Sequence, residues 1–215
     1  MLDWVYERAR RSPLLTELVV ATDSERILGH CARRGIPSIR TGNHACGSDR
    51  IHEVLLRTDG DIYVNIQADE PTVRAEHIEC LLGPILAGKG DVTTLKTVLD
   101  DAAAQDPNCV KVVTGAGGRA LYFSRLPVPY RRDGTRTCPY YKHLGLYAYR
   151  RSALERFHRL PPSPLEQAEK LEQLRLLENG IDILVQETPY DTVGVDTEED
   201  LRRAVAFFAA ETPRC

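Results

Sequence analysis

The feature that most constrains this chain is an alternation of short apolar runs with helix-patterned segments through its first half. Glu17–Thr22 (ELVVAT) is an apolar run ending at Asp23-Ser24, a helix-start signal, and Ser24–Arg34 reads as a helix that stops at Gly35. Ile36–Thr41 is a short strand candidate, and Ser48–Arg57 is amphipathic, with Ile51, Val54 and Leu55 on one face. Asp61–Ile66 (DIYVNI) reads as a buried strand running into Gln67-Ala68-Asp69-Glu70-Pro71, Arg74–Ala87 as a helix and Asp91–Leu99 as a strand. Strands alternating with helices of this length predict an α/β fold with a doubly wound, mostly parallel sheet.

The second half changes character. Cys109–Thr114 and Arg119–Phe123 flank Gly115-Ala116-Gly117-Gly118, which reads as a hairpin turn. Tyr141–Tyr149 is a third strand of this half, Arg151–Arg159 a helix and Ser163–Glu178 a longer one, before a strand at Ile181–Glu187 and a closing helix at Asp196–Ala210. This half is expected to be a smaller antiparallel addition to the same sheet, within a single domain spanning 1–215. Met1–Arg11 has helical spacing at Leu2, Val5, Tyr6 and Ala9, yet no strand precedes it.

Composition narrows the classes. With 28 Lys and Arg against 31 Asp and Glu, the net charge of −3 lacks the basic excess usual for nucleic-acid binding. No apolar run approaches the roughly 18 residues of a membrane span, and no signal peptide follows Met1. Six cysteines (31, 46, 80, 109, 138, 215) form no C-x-x-C pair, so they read as reduced thiols of a cytoplasmic protein. A catalytic triad, H-E-x-x-H, a P-loop and a dinucleotide G-x-G-x-x-G are all missing, which leaves hydrolase, zinc-protease and dehydrogenase readings without support.

Several residues could carry chemistry. Asp69 lies just past the carboxyl end of a strand, where open α/β sheets place their ligand crevice, although it could simply cap the next turn. Asp196, followed three residues later by Glu199, resembles a helix-capping box; it could also join Asp69 in holding an oxygen-loving ion such as Mg²⁺. His44–Arg50 (HACGSDR) runs into a helix start, where backbone N–H groups attract anions, or where Ser48 is an ordinary cap. Along Tyr141–Tyr149, period 2 puts Leu144, Leu146 and Ala148 on one face. His143, Gly145, Tyr147 and Tyr149 fall on the other, which suits a polar ligand or a solvent-facing surface. Ser163-Pro164-Leu165-Glu166 is a capping box, Glu172 and Gln173 lie further along the same predicted helix, and Arg125 ends a strand with a fork of donors.

Together these segments resemble the 3-deoxy-manno-octulosonate (Kdo) cytidylyltransferases. The matches are Val20-Ala21-Thr22-Asp23, His44 with Gly47-Ser48-Asp49-Arg50-Ile51, Val64–Pro71, Ala120–Arg125, Lys142–Tyr147, Ser163–Glu166 with Leu171–Arg175, and Gly194-Val195-Asp196-Thr197. The resemblance implies Mg²⁺-dependent transfer of CMP from CTP to the anomeric hydroxyl of Kdo, with release of pyrophosphate, for lipopolysaccharide precursor synthesis. It implies that Asp69 and Asp196 hold Mg²⁺ and that Gly47, Ser48 and Arg50 lie on the CTP side. Gln67, Arg125, His143, Tyr147, Glu172 and Gln173 would line the Kdo pocket. It further implies a nucleotide side in the first half, a sugar-binding and dimerisation part over about 109–190, and a homodimer. Ala68 stands where the family has Gly, and Ser48 where it has Thr. The family also opens with a strand and a basic loop of the form I-P-A-R-x-x-S-x-R-x-P-x-K, and this chain begins after it. The expectation is a chain lacking its true N-terminus, poorly folded and weakly active. The alternatives are a non-catalytic sugar-acid-binding relative or partner subunit, and a cytidylyltransferase for another acidic sugar.

Overall fold

The computed structural model describes residues 1–44 and 46–211; Ala45, within the candidate HACGSDR turn, and 212–215, with Cys215, lie outside the described residues. Helix α1 (Leu2–Ala9) buries Val5 and Ala9, as its spacing predicts. β1 (Val20–Thr22), α2 (Glu25–Arg34) and β2 (Ser38–Arg40) follow, with the chain turning at Gly35 in a left-handed conformation, φ 65°. Glycine suits that turn because it has no Cβ to clash. β1 and β2 pair in parallel, Ala21 opposite Ile39. Next come α3 (Gly47–Leu55), β3 (Ile62–Asn65), α4 (Ala75–Leu86) and β4 (Val92–Leu99). The second half supplies the hairpin β5 (Lys111–Thr114) and β6 (Ala120–Ser124), then β7 (Tyr140–Arg150) and α5 (Arg151–His158). It ends with α6 (Pro164–Glu169), α7 (Gln173–Glu178), β8 (Leu184–Glu187) and α8 (Glu198–Glu211).

The α/β fold and its antiparallel addition are both present, but the main sheet is mixed rather than mostly parallel. Strand β7 lies antiparallel to β4 along one edge and to β3 and β5 along the other, and among the described residues only β4–β8 pair in parallel within this sheet. The first-half strands β3 and β4 do run the same way. They are separated because the long second-half strand inserts between them, a choice that local patterning cannot register. Beyond β5, strand β6 curls back until the Ala120 N–H donates to Ile183 O at 2.9 Å, just before β8.

Side-chain alternation on β7 divides the core in two. Leu144, Leu146 and Ala148 pack with Ile78, Leu81 and Ile85 of α4 and with Val5 and Ala9 of α1. Tyr147 and Tyr149 join Leu154, Phe157, Leu171, Leu174 and Ile183 on the opposite side. Each such aliphatic side chain contributes about 1.5–3 kcal/mol by leaving water. The polar face of β7 is therefore buried, not solvent-facing.

The single helix expected over Ser163–Glu178 is two helices. Lys170 adopts φ 56° and ψ 46°, turning the chain so that α7 starts inside the protein with Gln173, Leu174, Arg175 and Leu176 buried. A left-handed break at a lysine carries no Gly or Pro signature for sequence reading to find. The capping box does form: Glu166 accepts the Ser163 N–H at 2.9 Å, and its carboxylate also binds Arg175 Nε at 2.7 Å.

Candidate active site

The inward turn at Lys170 delivers Glu172 to the start of α3, across the polar face of β7. Ser48 Oγ–H donates to Glu172 Oε1 at 3.1 Å and lies 3.4 Å from Tyr149 Oη. Tyr149 stacks on Tyr147 at 5.6 Å, and Tyr147 lies 5.5 Å from the His143 ring. The far side of that imidazole meets Phe123 edge-on at 4.9 Å, and its Nε2 sits 3.0 Å from Thr94 Oγ1. Four residues singled out in the sequence thus form one continuous cluster, with Ser48, His143 and Tyr147 buried and Glu172 half-buried. Gln173 is buried beside Glu172 at the start of α7.

Gly47 and Gln67 extend the cluster towards the end of β3. Gln67 Nε2–H donates to Asn65 Oδ1 at 3.3 Å. A Cβ on Gly47 would stand 2.6 Å from Gln67 Nε2 and 3.0 Å from Asn65 Nδ2, so glycine is what lets α3 begin against these two amides. Three buried polar atoms of the cluster have no hydrogen-bond partner: Asn65 Nδ2, Tyr147 Oη and Glu172 Oε2. Buried polar groups are ordinarily paired, so three orphans around one cluster mark a place built to receive hydrogen-bonding atoms.

Burial sets the charge state here. It pushes the Glu172 carboxyl up, with the Ser48 and Cys46 side chains opposing the shift, and holds the His143 imidazole down at about 3. His143 is therefore a neutral ring at physiological pH. Burial also raises the Tyr147 and Tyr149 phenols, helped by the neighbouring Glu172. With its neutral imidazole and protonated phenols, the site offers donors and acceptors for a hydroxylated ligand.

The two aspartates meet at a junction of loops. The Val195 N–H donates to Asp69 O at 2.9 Å, which brings Asp196 beside Asp69. The Asp69 carboxyl is pushed up first by burial and further by the charge of Asp196. The loop carrying Asp196 is tied down from three sides. Lys142 Nζ donates to Asp191 at 2.8 Å and to Thr192 O at 2.7 Å, the Val193 N–H donates to Thr72 Oγ1 at 2.8 Å, and Glu70 packs under Gly194. The helix-capping reading of Asp196 does not hold. The cap of α8 is one residue later, where the Asp200 N–H donates to Thr197 Oγ1 at 3.2 Å and the Thr197 N–H to Asp200 Oδ2 at 3.1 Å. Asp196 is thereby left exposed and uncommitted to the helix. Among the described residues no group of three His, Cys, Asp or Glu side chains is placed to hold a metal. Two neighbouring carboxylates fit a hard divalent ion that takes its other ligands from water and phosphate.

Arg50 and Arg125 stand apart from the buried cluster. Arg50 ties α3 to the preceding strands through Thr41 Oγ1 at 2.5 Å, Asp23 at 3.2 Å and Gly42 O at 3.3 Å. Arg125 caps the end of α6: its Nε–H donates to Glu169 O at 2.7 Å and Nη1 to Pro107 O at 3.0 Å. Glu169 answers by accepting the Arg125 N–H at 2.9 Å and the Ser124 hydroxyl at 2.8 Å. Sequence reading gave no role to Asn65 or Thr94. The available signal was a polar residue within a strand, a pattern that only a partner on another strand makes meaningful. The five described cysteines are free thiols.

A mixed sheet with carboxylates at neighbouring loop ends and a buried polar cluster beside them has the architecture of the nucleotide-diphospho-sugar transferases. A 4-diphosphocytidyl-2C-methyl-D-erythritol synthase from Anaerococcus prevotii shares this fold, with a TM-score of 0.63 over 97% of this chain and 88% of that one at 12% identity. The family model for cytidylyltransferases matches residues 1–183. Two relatives described as 3-deoxy-manno-octulosonate cytidylyltransferase are 52% identical (Koribacter versatilis) and 53% identical (Acidobacterium capsulatum); each match covers 94% of this chain and, respectively, 78% and 83% of the relative. A solved CMP:2-keto-3-deoxy-manno-octonic acid synthetase complexed with CTP superposes with a TM-score of 0.93 at 42% identity, covering 98% of this chain and 88% of that one. The chain belongs to the cytidylyltransferase family and, within it, to the 3-deoxy-manno-octulosonate cytidylyltransferases.

Proposed function

We propose that this chain transfers CMP from CTP to the anomeric hydroxyl of Kdo, releasing pyrophosphate, in the cytoplasmic synthesis of a lipopolysaccharide precursor. The observation that carries the reading is the set of orphaned buried atoms, Asn65 Nδ2, Tyr147 Oη and Glu172 Oε2, gathered at one polar cluster. Each unpaired group costs about 1–3 kcal/mol, and an acid rich in hydroxyls repays several of them at once. Gln67, His143 and Gln173 complete that pocket, and Arg125 holds its outer wall through α6. Gly47 and Ser48 stand where that pocket meets the CTP side and Arg50 lies on the CTP side, where the first N–H groups of α3 favour phosphate oxygens.

In the reaction the anomeric hydroxyl of Kdo gives up its proton to solvent as its oxygen bonds to the α-phosphorus of CTP, the bond from that phosphorus to the β-bridging oxygen breaks, and pyrophosphate leaves with the electron pair. The residues of this chain contribute orientation: the cluster fixes the sugar so that one hydroxyl faces the phosphorus, an effect able to supply much of the barrier reduction. Asp69 and Asp196 would hold Mg²⁺. That ion, when bound, supplies positive charge where negative charge builds on the phosphate oxygens. A homodimer through the second-half strands is part of the proposal. Exposed Leu121 on the edge strand β6 and Leu126 just after it support that surface.

The test is pyrophosphate release from CTP and Mg²⁺ with Kdo, a Kdo amine or a neuraminate. It is run on this chain and on the chain preceded by a strand and basic loop of the I-P-A-R form. Release that depends on Kdo supports the proposal; preference for another acidic sugar reassigns the acceptor; silence from both chains overturns it.

A further inference from the structure

Thr94 is fully buried on β4, and its hydroxyl lies at a break in the sheet. Thr94 pairs with Tyr147 while the next residue, Leu95, pairs with Leu144, so Gly145 and Leu146 bulge out of β7. A bulge disrupts the ladder and leaves backbone groups in need of partners. Thr94 Oγ1 lies 2.8 Å from Leu146 O, 3.2 Å from Leu144 O and 3.0 Å from His143 Nε2.

A hydroxyl has one proton and two lone pairs. With that proton directed at the two carbonyls, only a lone pair faces His143, so Nε2 must carry the ring proton and donate it to Thr94. The reverse assignment would set two carbonyl oxygens against a bare hydroxyl oxygen in a dry interior. The bulge also borders open space, because a Cβ on Gly145 would meet nothing within 4 Å.

We propose that Thr94 is a positioning residue: it holds the β7 bulge and locks His143 as the Nε2–H tautomer, leaving Nδ1 a bare acceptor for a hydroxyl of the acidic sugar. The final clause rests on the function proposed above; the tautomer lock does not. Burial keeps the ring neutral, which agrees with an accepting rather than a charged role. Once the substrate is bound, a hydroxyl proton of the sugar points at Nδ1 and the ring cannot rotate to lose it. Tautomers are commonly set in this way by the bond that the other ring nitrogen makes.

The test is long-range ¹H–¹⁵N spectroscopy of the full chain labelled at histidine, with calorimetry of Kdo binding on the same samples. Wild type and Thr94→Ser are expected to show a neutral His143 protonated at Nε2. Thr94→Val, equal in shape but unable to accept, is expected to shift the tautomer and weaken Kdo about tenfold. A wild-type ring protonated at Nδ1 overturns the proposal, and that spectrum needs no variant, so a valine chain that fails to fold does not shield it. An unchanged tautomer in a folded Thr94→Val overturns the role of Thr94. A shifted tautomer with unchanged Kdo affinity overturns the substrate clause and the placement of His143 at the sugar, while the lock stands.

Discussion

Replacing Gly47 with alanine separates the site from the fold more cleanly than any other single change. The new Cβ would sit 2.6 Å from Gln67 Nε2 and 3.0 Å from Asn65 Nδ2, where ordinary contact begins at 3.4 Å. Gln67 is the far end of a flexible side chain and can swing away by nearly an ångström. Asn65 is buried at the end of β3 and cannot yield as readily. Overpacking of this kind costs about 1–3 kcal/mol, while exchanging a helical glycine for alanine returns about 0.5–1 kcal/mol. The net loss of stability should therefore be about 0–2.5 kcal/mol by urea denaturation. The ligand pays more, because the displaced amides no longer meet it: Kdo affinity measured by calorimetry is expected to fall about tenfold or more. A Gly47→Ala chain that folds and binds Kdo as tightly as the wild type would refute the claim that α3 begins against the sugar site.

Four further outcomes follow from particular contacts. Burial raises the Glu172 carboxyl, so in the folded protein it stays protonated to higher pH than in the unfolded chain, and stability is lost as pH climbs from the ordinary carboxylate range through the raised value. Glu172→Gln should match the wild type in acid and exceed it at neutral pH in denaturant titrations, while binding Kdo more weakly. Lys170→Gly removes a left-handed lysine and should raise stability by about 0.5–1 kcal/mol in the same titrations. Thr197→Ala should loosen the first turn of α8 by about 1 kcal/mol, read from hydrogen exchange. Asp196→Asn should leave that turn unchanged and weaken Mn²⁺ binding measured by electron paramagnetic resonance.

What the sequence made legible divides along local and non-local lines. Every helix and strand up to Leu99 was readable, because period, a glycine stop or a capping residue marks each one within a few residues of chain. The polar face of Tyr141–Tyr149 was readable too, but not that it would be covered, since α5 and α7 close it from further along the chain. Sheet order failed for the same reason: nothing within β3 or β4 says that β7 will lie between them. The break at Lys170 and the capping of α8 by Thr197 were missed because neighbouring residues offered equally good local chemistry. At the site, Ser48, His143, Tyr147 and Glu172 were found through motifs, whereas Thr94 and Asn65 gain meaning only from partners across the sheet.

The central claim is that one phosphorus changes partners, from the β-bridging oxygen of CTP to the anomeric oxygen of Kdo. Phosphorus-31 spectroscopy of the chain bearing the basic loop, incubated with CTP, Kdo and Mg²⁺, follows that atom directly. The expected result is loss of the CTP resonances in step with equal amounts of pyrophosphate and a single new phosphodiester, both abolished by Asp69→Asn. Pyrophosphate accompanied only by free CMP, or CTP left intact with Kdo bound, would contradict it.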